Sequence, residues 1–293
     1  MSLLCIGSTL LTACDNSEPT NPSSAPKVAS KPVIGADGMT DEGRKAAQQL
    51  EDMNKPLKVE LAAPSQADDA AYINVLSKLS AIQIYTSQRS WDESDEEIAK
   101  SVSGSILVQS DLPLLYEYEQ ILKSSEDAFK KRELVEKISG LIKSEAAKLN
   151  GNIRVRMLVD ADLKPYDFTT NSFGNSNCLF SEKLDYTKSE MSNPNAFSKA
   201  EKPRCYLQPS TTNFRVGLMN GSKLNLKIDD ESLAKKVEGQ RQGAKFEIFG
   251  YVASIERERH GGTLGDARYI MINPQRIKLI GTGSGEVLFS QNL

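Results

Sequence analysis

Apolar and polar positions change their rhythm three times along this chain of 293 residues. Residues 3–13 are largely apolar, and residues 15–40 are then polar, rich in Ser, Pro, Asn and Ala, with few large apolar side chains. Such a stretch buries too little surface to offset its ordering entropy and reads as a disordered tether. From residue 41 to about 150 the apolar spacing is helical. Asp41 opens a short polar helix to about Met53, ended before Lys55-Pro56, and Ala71, Ile73, Leu76, Leu79, Ile82 and Tyr85 trace a stripe over residues 68–88. Another helix follows Leu112-Pro113. The clearest covers residues 125–149, with Phe129, Val135, Ile138, Leu141, Ile142 and Leu149 near one face and a stop at Asn150-Gly151.

After Gly151 the period becomes two. Strands are predicted over residues 153–159, 166–169, 205–208, 214–218, 224–228, 245–255, 268–272, 276–280 and 287–290, interrupted by a short helix over 232–240. The connections are short for crossover helices, which favours mostly antiparallel pairing. The expected fold class is α+β, with a helical N-terminal part (41–150) packed on a β-rich C-terminal part (151–293).

The apolar run ends in Leu10-Leu11-Thr12-Ala13-Cys14. About 11 residues rising about 1.5 Å each cannot span a hydrocarbon core of about 30 Å, but suit the core of a cleaved signal. Small Thr12 and Ala13 before the cysteine resemble the lipobox of bacterial lipoproteins. That resemblance implies a signal peptide over 1–13, acylated Cys14 as the first mature residue and membrane anchor, and a lipidated tether over 14–40. Its partner is then the lipid bilayer. Asp15 after the cysteine matches the signal that retains such lipoproteins at the periplasmic face of the inner membrane, with the outer membrane as the alternative. Two short segments, Glu126-Asp127-Ala128-Phe129-Lys130-Lys131-Arg132-Glu133-Leu134 and Tyr166-Asp167-Phe168 with Phe173, also resemble uncharacterised bacterial envelope domains, and neither carries an activity with it.

Net charge is -3, with 26% charged and 39% hydrophobic residues, so composition is that of an ordinary globular protein and gives no reason to expect a nucleic-acid partner. Cys178 and Cys205 are the cysteines left for the folded part. In an oxidising compartment they form a disulfide most simply, closing a loop of about 28 residues worth roughly 3 to 4 kcal/mol; free thiols or half a metal site are the alternatives. One histidine and no CxxC argue against metal, and no cofactor is expected.

The remaining candidates are weaker. His260, with Arg257 and Arg259 and followed by glycines, reads as a hairpin tip or, alternatively, a base or anion contact. Asp160, Asp162 and Asp167 follow a predicted strand and could serve a periplasmic carboxylate-dependent hydrolase, but read better as solvated turn residues. Gly281-Thr282-Gly283-Ser284-Gly285 precedes strand-like sequence where a phosphate loop would open a helix, so a hairpin turn is expected. Asp92-Glu93-Ser94-Asp95-Glu96-Glu97 suits a helix start and a solvated surface, or the docking of a basic partner; Trp91 beside it reads as a core anchor. With no convergent catalytic set, a non-enzymatic binding or structural envelope component, with an envelope protein as a candidate partner, is the leading expectation, and the hydrolase is second.

Overall fold

The computed structural model describes residues 34–102, 112–181, 207–210, 213–283 and 285–293. The chain divides into two compact units, Met1–Gln48 and Gln49–Leu293. The described part of the first holds a bridge between Ile34 and Thr40 and the start of helix α1 (Asp41–Asn54), where Arg44 pairs with Asp37 and Asp41.

The second unit is α+β. Its further helices among the described residues are α2 (Lys78–Gln88), α3 (Asp95–Val102), α4 (Pro113–Ser124), α5 (Ala128–Ala146) and α6 (Glu231–Gln240). The Asp127 carboxylate starts α5 by accepting from the Phe129 and Lys130 amides at 2.8 and 3.2 Å. Leu134, Ile138, Ile142 and Ala146 then repeat every four residues and are buried; of the expected stripe Ile138 and Ile142 are buried with it, whereas Phe129 in the first turn is exposed. Pro113 begins α4, where its missing N–H costs nothing. Helices α2, α3 and α4 all pack on α5. Within α5, Gly140 is exposed and a Cβ there would meet nothing within 4 Å. Gly140→Ala is therefore expected to stabilise the protein by about 0.5–1 kcal/mol by restricting the unfolded chain. A lowered chemical-denaturation midpoint would refute this.

The strands are β1 (Leu57–Glu60), β2 (Ile73–Asn74), β3 (Arg154–Asp160), β4 (Leu163–Asp167), β5 (Ser172–Asn175), β6 (Leu207–Pro209), β7 (Phe214–Leu218), β8 (Leu226–Lys227), β9 (Lys245–His260), β10 (Thr263–Ile280) and β11 (Val287–Asn292). An eight-stranded sheet runs β2-β3-β9-β10-β7-β6, with β1 also on β9 and β11 also on β10; β4-β5-β8 form a small second sheet. The β9–β10 hairpin is its spine. Each long strand changes neighbour midway: β9 pairs with β3 over residues 245–251 and with β1 over 254–257, while β10 pairs with β7 over 268–272 and with β11 over 276–280. Irregularities in the register bend the hairpin, one of them at Pro274, which has no N–H to give the ladder. Gly250 of β9 lies opposite Pro274, and a Cβ there would overlap the Asn273 carbonyl oxygen. Ile82, Ile138, Val155, Ile248 and Ile270 belong to one core cluster, so helices and sheet share it.

Several expectations need correction. The stripe over residues 68–88 is helical only from Lys78, because Asp69–Ala71 forms a 3-10 turn and Ile73 pairs with Val155 as an edge strand. The two-residue step from Ala71 to Ile73 belongs to that extended segment. Strands β1 and β2 place sheet inside the part read as helical. Residues 268–272 and 276–280 belong to one bulged strand. Pairing is mostly antiparallel, but β7 with β10 and β2 with β3 are parallel.

Candidate functional site

Two features stand out in the second unit, a charged cluster inside the core and an aromatic groove beside the small sheet. The first grows out of the acidic run after Trp91. Glu93 is not the solvated surface charge that the run suggests, for its side chain is only 2% exposed. It sits in the link between α2 and α3, and across β9 and β10 Arg257 and Arg268 stand directly opposite one another, each also 2% exposed. Like charges facing across a sheet repel. Glu93 resolves this by pairing with Arg257 Nη1 at 2.9 Å, with Arg268 Nη2 at 3.4 Å and with Arg89 Nη1 at 3.0 Å. The Tyr85 hydroxyl donates to it at 2.6 Å and the Trp91 indole N–H at 3.3 Å.

The guanidiniums are also held by the backbone. Arg257 donates to the Gly265 carbonyl, and Arg268 donates to the Asp266 and Glu97 carbonyls at 3.0 Å each. Arg268 lies over the rings of Tyr85 and Phe214. Burial pushes the Glu93 pKa upward, but Arg268, the Tyr85 hydroxyl, Arg257 and Arg89 together outweigh it and hold the carboxyl below its ordinary value. Tyr85 moves the other way, its hydroxyl raised well above its ordinary value by burial and then by the neighbouring carboxylate. Every oxygen of Glu93 is engaged, so the arrangement is a clamp joining the helical segment to the hairpin. Arg257, read from sequence as part of a polar hairpin tip, is a core residue.

The groove lies between β4 and α6. About 450 Å3 in volume, it is lined by Pro165, Tyr166, Phe168, Glu231, Ala234, Lys235 and Glu238. Asp167 sets its lip: one carboxylate oxygen accepts from the Thr169 amide at 2.8 Å and the other from the Thr170 hydroxyl at 2.9 Å. Those two donors hold the Asp167 carboxyl below its ordinary pKa. Phe168, on this pinned turn, is 77% exposed. Its ring meets Tyr166 edge to face with centroids 5.0 Å apart, and Tyr166 in turn meets Phe173 at 5.0 Å. The Tyr166 hydroxyl donates to the Ile228 carbonyl at 2.8 Å, fixing the middle ring. Asp230 caps α6 by accepting from the Ser232 and Leu233 amides, which places Glu231, Lys235 and Glu238 along the wall.

Of the candidate residues, Cys14, Asp15 and Cys205 lie outside the described residues. Cys178 opens the 3-10 turn Cys178–Phe180. The three aspartates do not share one site: Asp160 pairs with Lys245 at 3.4 Å, Asp162 occupies a left-handed turn at φ 44°, and Asp167 is bound into the Phe168 turn. None of them lines the groove. No group of three His, Cys, Asp or Glu able to hold a metal occurs among the described residues. The hairpin is there, but β9 runs beyond its expected end at 255 to His260, leaving a two-residue turn of Gly261 and Gly262 with φ of 58° and 88°. Asn54 and Met53 accept from the amides of that turn. The glycine run at 281–285 links β10 to β11, with Ser284 outside the described residues. Of the acidic run, Asp95 contacts Ser139 and Lys143 on α5, and Glu96 is exposed at the helix start.

The sequence offered Tyr166-Asp167-Phe168 and Phe173 as a resemblance without a role; Tyr166 and Phe168 line the groove, and Phe173 is buried against Tyr166. It gave no hint of the Glu93 clamp, whose members are scattered from residue 85 to 268. No family model matches the chain, and no curated protein and no solved structure matches it either.

Proposed function

We propose that this chain is a lipid-anchored protein of the bacterial envelope whose folded part binds a ligand or an envelope partner and catalyses nothing. The observation that carries the anchor is the run Leu11-Thr12-Ala13-Cys14 at the end of an apolar stretch, followed by Asp15, which favours the periplasmic face of the inner membrane over the outer membrane. Two or more acyl chains on Cys14, at about 0.8 kcal/mol per buried CH2, hold a protein stably where one chain does not. No helix among the described residues is long and apolar enough to cross a membrane. The binding role is supported by the groove, an open concavity with an exposed aromatic lip and a charged wall. The binding reading is preferred to a carboxylate-dependent hydrolase because Asp160 pairs with Lys245, Asp167 is bound to Thr169 and Thr170, and none of Asp160, Asp162 and Asp167 lines the groove.

In the native bacterium, labelled palmitate is expected on the wild-type protein and absent from Cys14→Ser, which should be found as an unprocessed or soluble form. The intact mass of the unreduced wild type, after alkylation, should also show no modified thiol, as a Cys178–Cys205 disulfide in this oxidising compartment requires. Label retained on Cys14→Ser would refute the anchor, and two alkylated cysteines would refute the disulfide.

A further inference from the structure

We propose that the groove between β4 and α6 is a carbohydrate site that takes a pyranose unit of an oligosaccharide, with the Phe168 ring, braced edge to face by Tyr166, as its platform and Glu231 and Lys235 as its polar contacts. This rests on reading the folded part as a binding module, but not on the acylation of Cys14.

The choice of ligand follows from what surrounds the groove. A pyranose ring presents an apolar C–H face and a belt of hydroxyls, so it needs an aromatic surface and, beside it, a donor and an acceptor. Phe168 offers the surface, 77% exposed yet fixed by the Asp167 turn and by its contact with Tyr166, so little freedom is lost on binding. Glu231 and Lys235 stand one turn apart on α6 and form no side-chain ion pair among the described residues, leaving one acceptor and one donor for hydroxyls. The volume of about 450 Å3 falls among sites for small ligands.

Other occupants fit less well. A wholly apolar ligand would strip water from charged Glu231 and Lys235 without replacing their hydrogen bonds. A peptide adding as a strand would need the open edge of β4, and α6 has sealed it. The Tyr166 amide donates to Glu238 at 3.0 Å, Arg241 donates to the Leu163 carbonyl at 3.3 Å, and Arg241 also fixes Glu238 at 2.6 Å. What remains is recognition by side chains, with an apolar face below and hydroxyls at the wall.

The test is saturation-transfer NMR on the full chain, kept in a detergent without a sugar headgroup, with tetramers of N-acetylglucosamine and of glucose as probes. Transfer to ring protons of at least one tetramer is expected. Phe168→Ala, which removes an exposed side chain and should fold normally, is expected to weaken binding about tenfold or more; Phe168→Trp should retain it, and Glu231→Gln should weaken it less. No transfer at millimolar tetramer would overturn the proposal, as would binding unchanged by Phe168→Ala. So would a proline decapeptide that binds at Phe168 while the sugars do not. An unacylated chain that binds sugar leaves this site standing and removes the anchor, and an acylated chain that binds none does the reverse.

Discussion

Replacing Glu93 with Gln is expected to destabilise the protein by about 3–5 kcal/mol, the usual cost of removing one partner from a buried ionic cluster. The exchange keeps size and some hydrogen bonding but deletes the charge that lets Arg257 and Arg268 face each other across β9 and β10. At this chain length the loss corresponds to a melting temperature lower by roughly 6–20 °C. Acid should reveal the same group. Because the folded carboxyl titrates below its ordinary value, its contribution is complete above the unfolded pKa of about 4.3 and disappears as pH falls through the lower folded value. The gap between wild type and Glu93→Gln should therefore narrow below about pH 4. Melting curves that coincide at pH 7 would show that the cluster does not hold the fold together. Charge, rather than shape, is the issue if Glu93→Leu combined with Arg89→Met, Arg257→Met and Arg268→Met recovers most of the loss.

A second large effect is expected at Gly250. Its position opposite Pro274 brings the backbone of β10 so close that a methyl group would run into the Asn273 carbonyl, with the carbonyl carbon 3.0 Å away and the Ile272 side chain at 3.0 Å. Backbone on both strands must shift, and because β9 also carries β3 through the Val155–Gly250 register, the disturbance spreads to a second pairing. Gly250→Ala should cost at least about 3 kcal/mol, at or beyond the upper end of ordinary overpacking. A denaturation midpoint equal to that of wild type would exclude so close an approach of the two strands. The opposite sign expected for Gly140→Ala shows that surroundings, and not residue type, set the outcome.

These two sites also mark what the sequence could and could not convey. Helix α5 was readable because Ile138, Leu141 and Ile142 at helical spacing and the Asn150-Gly151 stop are local signals, although its Asp127 cap, which sets the start, was not singled out. Strand β7 was readable for a similar reason, its residues Phe214–Leu218 being apolar at alternate positions between turn-forming segments. Glu93 was misread because a carboxylate among five other polar residues has every local mark of surface, and only the sheet brings Arg257 and Arg268 to it. The split of β10 into two predicted strands followed from Pro274, which interrupts the hydrogen-bonding pattern without ending the strand. In the groove, the aromatic residues were visible as a short motif, but α6 comes from more than 60 positions later, so no local pattern could join them.

The partner exchange along β9 has a further consequence for how the polypeptide acquires its structure. Among the described residues, strand β1, at Leu57–Glu60, finds its ladder on Ile255 and its neighbours, about 200 residues later. At synthesis rates of about 5–20 residues per second, that partner emerges roughly 10–40 s after β1 itself. Early segments can become helical in the meantime, but β1 has nothing to pair with and β3 lacks its neighbour on β9. Such distant pairings also make for slow closure once the chain is complete. The β9-facing edges of β1 and β3 therefore stay unpaired until the C-terminal hairpin is available, wherever the chain folds.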